Sequence, residues 1–277
     1  MPTTGGRNDA GTQQLPDEID TNVPQSARVY DYLLGGKDNY PADRALGDKI
    51  IELVPTVRTQ VRAQRAFLRR TVYYLTAEAG IRQFLDIGTG IPTAGNVHDV
   101  AQAIAPSSRV LYVDNDPIVL AHSRALLQGT PEGRLAFILA DLREPEAILA
   151  DPTLARTLDL TRPVGLVLIG ITHHLRDDDD PRRIVQTLVD ALAPGSYLVL
   201  SQITPDFDPE AMRAVAAVVE QDNVPYVVRS YADTERFFSG LDLVPPGLVP
   251  ILAWRPDPGT EQDPRSASAY GGVARKP

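Results

Sequence analysis

The sequence predicts an α/β fold: a doubly wound, mainly parallel sheet with helices on both faces, an antiparallel C-terminal edge and a helical N-terminal segment. Three observations carry this expectation. Short apolar runs alternate with helix-patterned segments from residue 83 onward, as the strand and helix units of a parallel sheet do. The run 164–169 is apolar throughout, the pattern of a strand buried on both faces. Asp116-Pro117, Asp180-Pro181 and Asp208-Pro209 each place a capping side chain before a proline suited to the first helical position.

Taken in order, residues 1–24 mix Gly, Thr, Asn, Asp and Gln without hydrophobic period and predict a flexible arm. Residues 27–43 read ARVYDYLLGGKDNYPAD, which predicts a short helix, a turn at Gly35-Gly36 and a polar loop. Val57, Val61, Leu68, Val72 and Leu75 then recur at helical spacing, with Arg58, Arg62, Arg65 and Arg69 on other faces, and the helix should end at Gly80. Strands are predicted at 83–87, 109–113, 135–139, 164–169 and 197–200. Helices are predicted at 96–104, 117–127 and 181–192, from Asp208-Pro209, and at 231–238. Residues 241–244 and 248–254, joined by Pro245-Pro246-Gly247, predict an antiparallel pair. The organisation is an arm at 1–24, a helical segment at 25–80, a ligand-binding domain at 81–256 and a surface tail at 257–277.

Composition narrows the function. With 277 residues and 43% hydrophobic side chains the chain can bury a large core. It contains no cysteine, which excludes disulfides, thiolate metal sites and cysteine nucleophiles. No run approaches the roughly 18 uncharged apolar residues of a membrane helix, and the first residues lack a basic start followed by an apolar stretch. The expectation is a cytoplasmic protein without a membrane partner. Counting 36 acidic against 27 basic residues gives a net charge of −9, the wrong sign for coating a phosphate backbone, so nucleic acid is not an expected partner.

In a doubly wound sheet, ligands sit outside the carboxyl ends of the strands where strand order reverses. The first strand ends in DIGTGIPT, residues 86–93. A dinucleotide fingerprint calls for a third small residue where Thr93 stands, and no Gly-Lys-Ser/Thr ending forms a phosphate-cradling loop. The turn therefore suits a nucleoside without a pyrophosphate, such as S-adenosylmethionine, rather than NAD or a nucleotide sugar. Gly88 and Gly90 let the amino-acid portion approach the backbone, and Asp86 can take its ammonium group. Asp114, ending the second strand, can accept from both ribose hydroxyls or serve as a turn residue, with Asn115 beside it. Asp116 reads as the N-cap before Pro117. Asp141, ending the third strand, can meet the adenine amino group with Leu142 against the ring, or can cap a helix ahead of Pro145.

The run SARVYDYLLGGKDNY at 26–40, followed by Asp43-Arg44, resembles the N-terminal signature of an actinobacterial S-adenosylmethionine-dependent methyltransferase family formerly catalogued as a domain of unknown function. DIGTGIPT at 86–93, YVDNDP at 112–117 and the closing YGG at 270–272 are similar to that family's later motifs. The resemblance covers nearly the whole chain from about Pro24. It implies a class I, Rossmann-like methyltransferase fold binding S-adenosylmethionine in the 81–256 domain, and it names no acceptor. The N-terminal motif alternates charged and aromatic residues around two glycines. It reads as a lid over the cofactor's methionine end, with Arg28, Tyr30, Gly35 and Asn39 against ligand, or as a helix-turn segment held by its own salt bridges.

Methyl transfer from a sulfonium needs an acceptor placed in line and sometimes a base. Residues 171–178, ITHHLRDD, resemble the His-Asp-Trp-Ser-Asp stretch of small-molecule O-methyltransferases, whose first histidine is the base. That likeness assigns the role to His173, although His174 stands at the family's Asp and Leu175 at its Trp. Adjacent side chains on an extended segment point apart, so one shared metal ion is not expected there. Tyr226, Phe237 and Phe238 are possible walls for a small-molecule acceptor methylated at oxygen or nitrogen. The competing reading is a non-catalytic sensor that binds the cofactor without turning it over.

Overall fold

Residues 20–259 and 262–277 are described in the computed structural model, so most of the arm expected at 1–24 lies outside the described residues. Five strands run parallel where the apolar runs predict them: β1 (Gln83–Ile87), β2 (Arg109–Asp114), β3 (Arg134–Leu139), β4 (Gly165–Ile169) and β5 (Tyr197–Ile203). Three more follow, β6 (Asp242–Leu243), β7 (Val249–Pro250) and β8 (Ala269–Arg275). The sheet order is β3-β2-β1-β4-β5-β8-β6, with β7 also paired to β8. The order reverses between β1 and β4, which opens a crevice beyond their carboxyl ends.

Because strand side chains alternate, the sheet buries two separate layers. Leu85, Leu111, Leu166 and Leu198 belong to one, covered by Ile184, Val185 and Leu188 of α8 (Pro181–Asp190). Phe84, Val110, Val167 and Val199 belong to the other, covered by Phe67, Val72 and Leu75 of α3 (Val57–Ala77) and Val97 and Ala101 of α4 (Val97–Ile104). A third cluster joins Val29 and Leu33 of α1 (Ser26–Leu34), Leu46 and Ile50 of α2 (Pro41–Leu53), and Met212, Val215 and Val219 of α9 (Pro209–Gln221). The caps behave as read: Asp116 Oδ1 accepts from Ile118 N at 2.8 Å, opening α5 (Pro117–Leu126), and Asp208 accepts from Ala211 N at 3.0 Å.

Three features depart from or add to the expectations. The polar loop after Gly36 is short and leads into α2, whose first turn is closed when Tyr40 N donates to Asp43 Oδ2 at 2.8 Å. The crossover from β3 to β4 contains two short helices, α6 (Pro145–Ala150) and α7 (Pro152–Thr157), each begun by a proline. The third concerns the C-terminal edge. β6 and β7 do not pair with each other; both pair antiparallel with β8, which lies in the segment expected at the surface. β8 is buried from Ala269 to Ala274 and also pairs with β5 over seven residues. Its glycines mark close packing rather than solvent, for a Cβ on Gly271 would lie 2.7 Å from Phe67 and 2.8 Å from Ile251. Among the described residues no helix is long and apolar enough to cross a membrane.

Candidate active site

The turn after β1 is where the chain needs glycine. Gly88 has φ +76° and Gly90 φ +65°, left-handed conformations that a side chain resists. A Cβ on Gly88 would also stand 2.5 Å from Ile171, two residues past the end of β4. Gly90 N donates to Asp114 Oδ2 at 2.9 Å and Asp116 N to Asp114 Oδ1 at 3.0 Å, so the carboxylate ending β2 holds the turn ending β1. Burial pushes the Asp114 carboxyl up to about 6, with those backbone donors acting against the rise. Burial likewise pushes Asp86 up to about 7; Arg65 opposes the shift and Asp114 adds to it.

At the end of β3 the balance reverses. Burial raises the Asp141 carboxyl, but hydrogen bonds from Arg143 and Asn115 outweigh it and hold the group at about 2. Asn115 Nδ2 donates to Asp141 Oδ2 at 3.0 Å, and Arg143 Nε to Oδ1 at 2.9 Å. Leu142, 5% exposed, packs into the first core layer and lines the same cavity.

The N-terminal motif divides. Arg28 and Tyr30 line the cavity, whereas Gly35 and Asn39 do not. The Arg28 guanidinium is already occupied: it donates to Val23 O at 2.7 Å and Asp20 O at 3.3 Å, and Nε lies 3.4 Å from Asp43 Oδ1 without hydrogen-bond alignment. It straps residues 20–23 along the cavity wall. Tyr30 donates to Val61 O at 3.1 Å, and burial pushes its hydroxyl up to about 12. Gly35 ends α1 at φ +88°, while Asn39 Nδ2 donates to Asp31 Oδ2 at 2.8 Å and to Gly36 O at 3.2 Å. These two residues build the turn, the self-held arrangement weighed for this motif. A Cβ on Gly36 would lie 1.9 Å from Asp31 Oδ1. Asp31 is buried and already binds Asp38 N and Asn39, so it cannot swing away freely. Gly36→Ala should lower stability by about 1–3 kcal/mol, read as a lower denaturant midpoint with unchanged slope; an unchanged midpoint would show that the turn gives way at no cost.

After β4 the chain forms a short 3-10 turn, Thr172–His174, not the extended segment assumed from sequence. The two imidazoles therefore lie together, centroids 4.1 Å apart and tilted by 44°. His174 Nδ1 is 2.7 Å from Pro225 O. His173 lines the cavity, 7% exposed, with its Nδ1 buried and without a hydrogen-bond partner. Burial, His174 and the Arg229 charge all hold its pKa well below the ordinary histidine value, so the ring is neutral at neutral pH. Tyr226 meets it edge-on at 5.1 Å and lines the cavity; Phe237 and Phe238 belong to the core and do not.

Two arginines escaped the sequence reading. Arg229, 7% exposed, donates to Thr172 O and Leu175 O, both at 2.9 Å, and to Asp177 Oδ1 at 3.0 Å, clasping the histidine turn at both ends. Arg65, read as polar helix face, lines the cavity and reaches Asn96 Oδ1 at 3.1 Å. Neither has a local sequence signal, since each partner is tens of residues away. Among the described residues no three His, Asp or Glu side chains gather as metal ligands. A cavity of about 640 Å3 unites the strand ends, the strap and the histidine turn.

Comparison with known proteins agrees with this geometry. A family model described as S-adenosyl methyltransferase matches residues 12–277. A DUF574 family protein from Streptomyces avermitilis is similar at 49% identity over 94% of this chain and 100% of that one, with a TM-score of 0.91. A candidate methyltransferase from Thermobifida fusca is 41% identical over 93% of this chain and 96% of that one, with a TM-score of 0.86. The plantazolicin methyltransferase BpumL, solved with S-adenosylhomocysteine, shares the fold at 12% identity, covering 91% of this chain and 95% of that one, with a TM-score of 0.51. No curated protein matches the sequence.

Proposed function

The chain belongs to the S-adenosyl methyltransferase family, and from that premise we propose that it methylates an oxygen or nitrogen of a small-molecule acceptor with His173 as base. The residues at the crevice fit the cofactor. Gly90 leaves open space where an amino-acid portion would approach the backbone, Gly88 packs against Ile171, and the Asp86 and Asp114 carboxylates stand beside the turn with their ionisation opposed by burial. An ammonium group and hydroxyl donors would favour their charged forms, adding to the Gly90 and Asp116 backbone donors already on Asp114. Asp86 would hold the ammonium, Asp114 the ribose, and Asn115, Asp141 and Leu142 the adenine. The helical segment 25–80 would cover the methionine end, Arg28 acting through the strap it holds and Tyr30 from the wall. Bound S-adenosylmethionine supplies a methyl carbon activated by a positively charged sulfur.

The observation that carries the acceptor reading is the neutral imidazole of His173 on the wall shared with the glycine turn. A neutral ring has a lone pair for the proton an alcohol, phenol or protonated amine must lose. A net charge of −9 supports a small acceptor over nucleic acid, and a cytoplasmic enzyme would work where its cofactor is made. The test is a panel of small phenols, alcohols and amines incubated with S-adenosylmethionine. S-adenosylhomocysteine should form only when an acceptor is present, with one methyl group gained by the small molecule. Turnover confined to protein or nucleic acid acceptors would overturn the reading.

A further inference from the structure

The cavity is larger in kind than a cofactor crevice, because it has a second limb of different chemistry. From the glycine turn toward β3 its lining is rich in charge: Asp86, Asp114, Asp116, Asp141, Arg65 and Arg143. From His173 and Tyr226 toward the N-terminal helices it is aliphatic. Ile50 of α2, Val57 and Val61 of α3, Val215 and Val219 of α9, and Val224 line it, each less than 9% exposed and part of the third core cluster. The charged side chains lining this side are already engaged: Asp222 pairs with Lys49 at 3.1 Å, and the Arg28 guanidinium is held by Val23 O, Asp20 O and Asp43. Gln60 and Gln64 supply polarity near the junction, and each is engaged, Gln60 Nε2 donating to Ser268 Oγ at 3.1 Å and Gln64 Oε1 accepting from Ser201 Oγ at 2.8 Å.

We propose that this aliphatic limb is the acceptor site and that it selects an uncharged, mostly hydrocarbon molecule carrying one hydroxyl or amine, held with that group toward His173 and Tyr226. The inference rests on the methyltransferase reading of the crevice and goes beyond it by naming the acceptor class. Wherever apolar walls close around a ligand, a few polar groups orient it and the rest of the surface contributes burial. An acceptor bearing a carboxylate or phosphate would leave water without an uncommitted basic partner, since the Arg28 guanidinium is already held, and desolvating an unpaired anion is costly. A hydrocarbon acceptor meets no such cost and gains from every wall.

The experiment uses the whole protein saturated with S-adenosylhomocysteine, titrated with 2-naphthol or with its anionic counterpart 2-naphthoate at pH 7.5. The two differ in charge and little in shape. The neutral probe should bind at least about tenfold more tightly than the anion. Val219→Trp, which fills the limb, should weaken 2-naphthol by about tenfold or more while S-adenosylhomocysteine still binds, and Val215→Phe gives the same comparison if the larger replacement unfolds the chain. Equal binding of the two probes, or unchanged naphthol affinity in a folded variant, overturns the limb as an apolar acceptor site with the crevice reading intact. Wild-type protein that takes up neither S-adenosylhomocysteine nor naphthol overturns the crevice reading itself.

Discussion

His173→Asn should lower kcat by about 100- to 10,000-fold, the usual worth of a positioned base, while the dissociation constant for S-adenosylhomocysteine stays within about twofold. Asparagine keeps a polar side chain of similar reach and removes the group that can take a proton near neutral pH. His173 lies past β4 and is not among the residues assigned to the cofactor, so its loss should be read in the chemical step. The pH dependence has a definite sign. Burial, His174 and Arg229 hold His173 below its ordinary value, so the neutral form persists as pH falls past about 6.5 and the acid limb of kcat should lie lower still. Stability shares this sign for the same group: it is full above the unfolded histidine value of about 6.5 and is lost as pH falls toward the depressed folded value. Single-turnover measurements in the variant and in wild type separate the two effects. A rate loss under about tenfold would remove His173 from the chemistry and leave it as wall.

How much of this was legible depended on whether a residue's role is set nearby or far away. The five parallel strands were readable because short apolar runs and Asp-Pro caps are local signals, and their topology then assigns Asp86, Gly88, Gly90, Asp114 and Asp141 to strand ends without further information. β8 was not, because Gly271 and Gly272 look like loop residues until Phe67 and Ile251 are known to press on the strand. α2 was missed because its start is marked by Tyr40, an unusual residue before a helix, and by Asp43, whose capping role appears only with the fold. Gly35 and Asn39 show the same limit from the other side. Their types suggested contact with ligand, and their geometry is explained by Asp31 and the end of α1. Arg229 reaches partners more than 50 residues away, a relation no spacing rule carries.

Asp86→Asn should have two effects of opposite sign, and the pair distinguishes a cofactor ligand from a structural carboxylate. Buried among apolar strands, Asp86 has its folded pKa raised to about 7, chiefly by burial, against an unfolded value near 4. Its contribution to stability is therefore fullest below about pH 4 and is lost as pH rises through about 7. Removing the ionisable group should make the ligand-free protein more stable than wild type at pH 8, with the gain shrinking toward pH 5. The same replacement should weaken S-adenosylhomocysteine by about 30-fold or more, since one member of a buried charge pair has gone. In wild type an incoming ammonium lowers the Asp86 pKa, so binding releases a proton wherever the free carboxyl is still protonated. Affinity should then rise with pH between 5.5 and 7 and level off above, and calorimetry in buffers of different ionisation enthalpy should detect net proton release near pH 6.5. Asp114, raised by burial to about 6, adds to that release at the lower end and should keep a residual slope in the variant. Proton uptake in wild type, or Asp86→Asn binding within about threefold of wild type, would place the ammonium group elsewhere in the crevice.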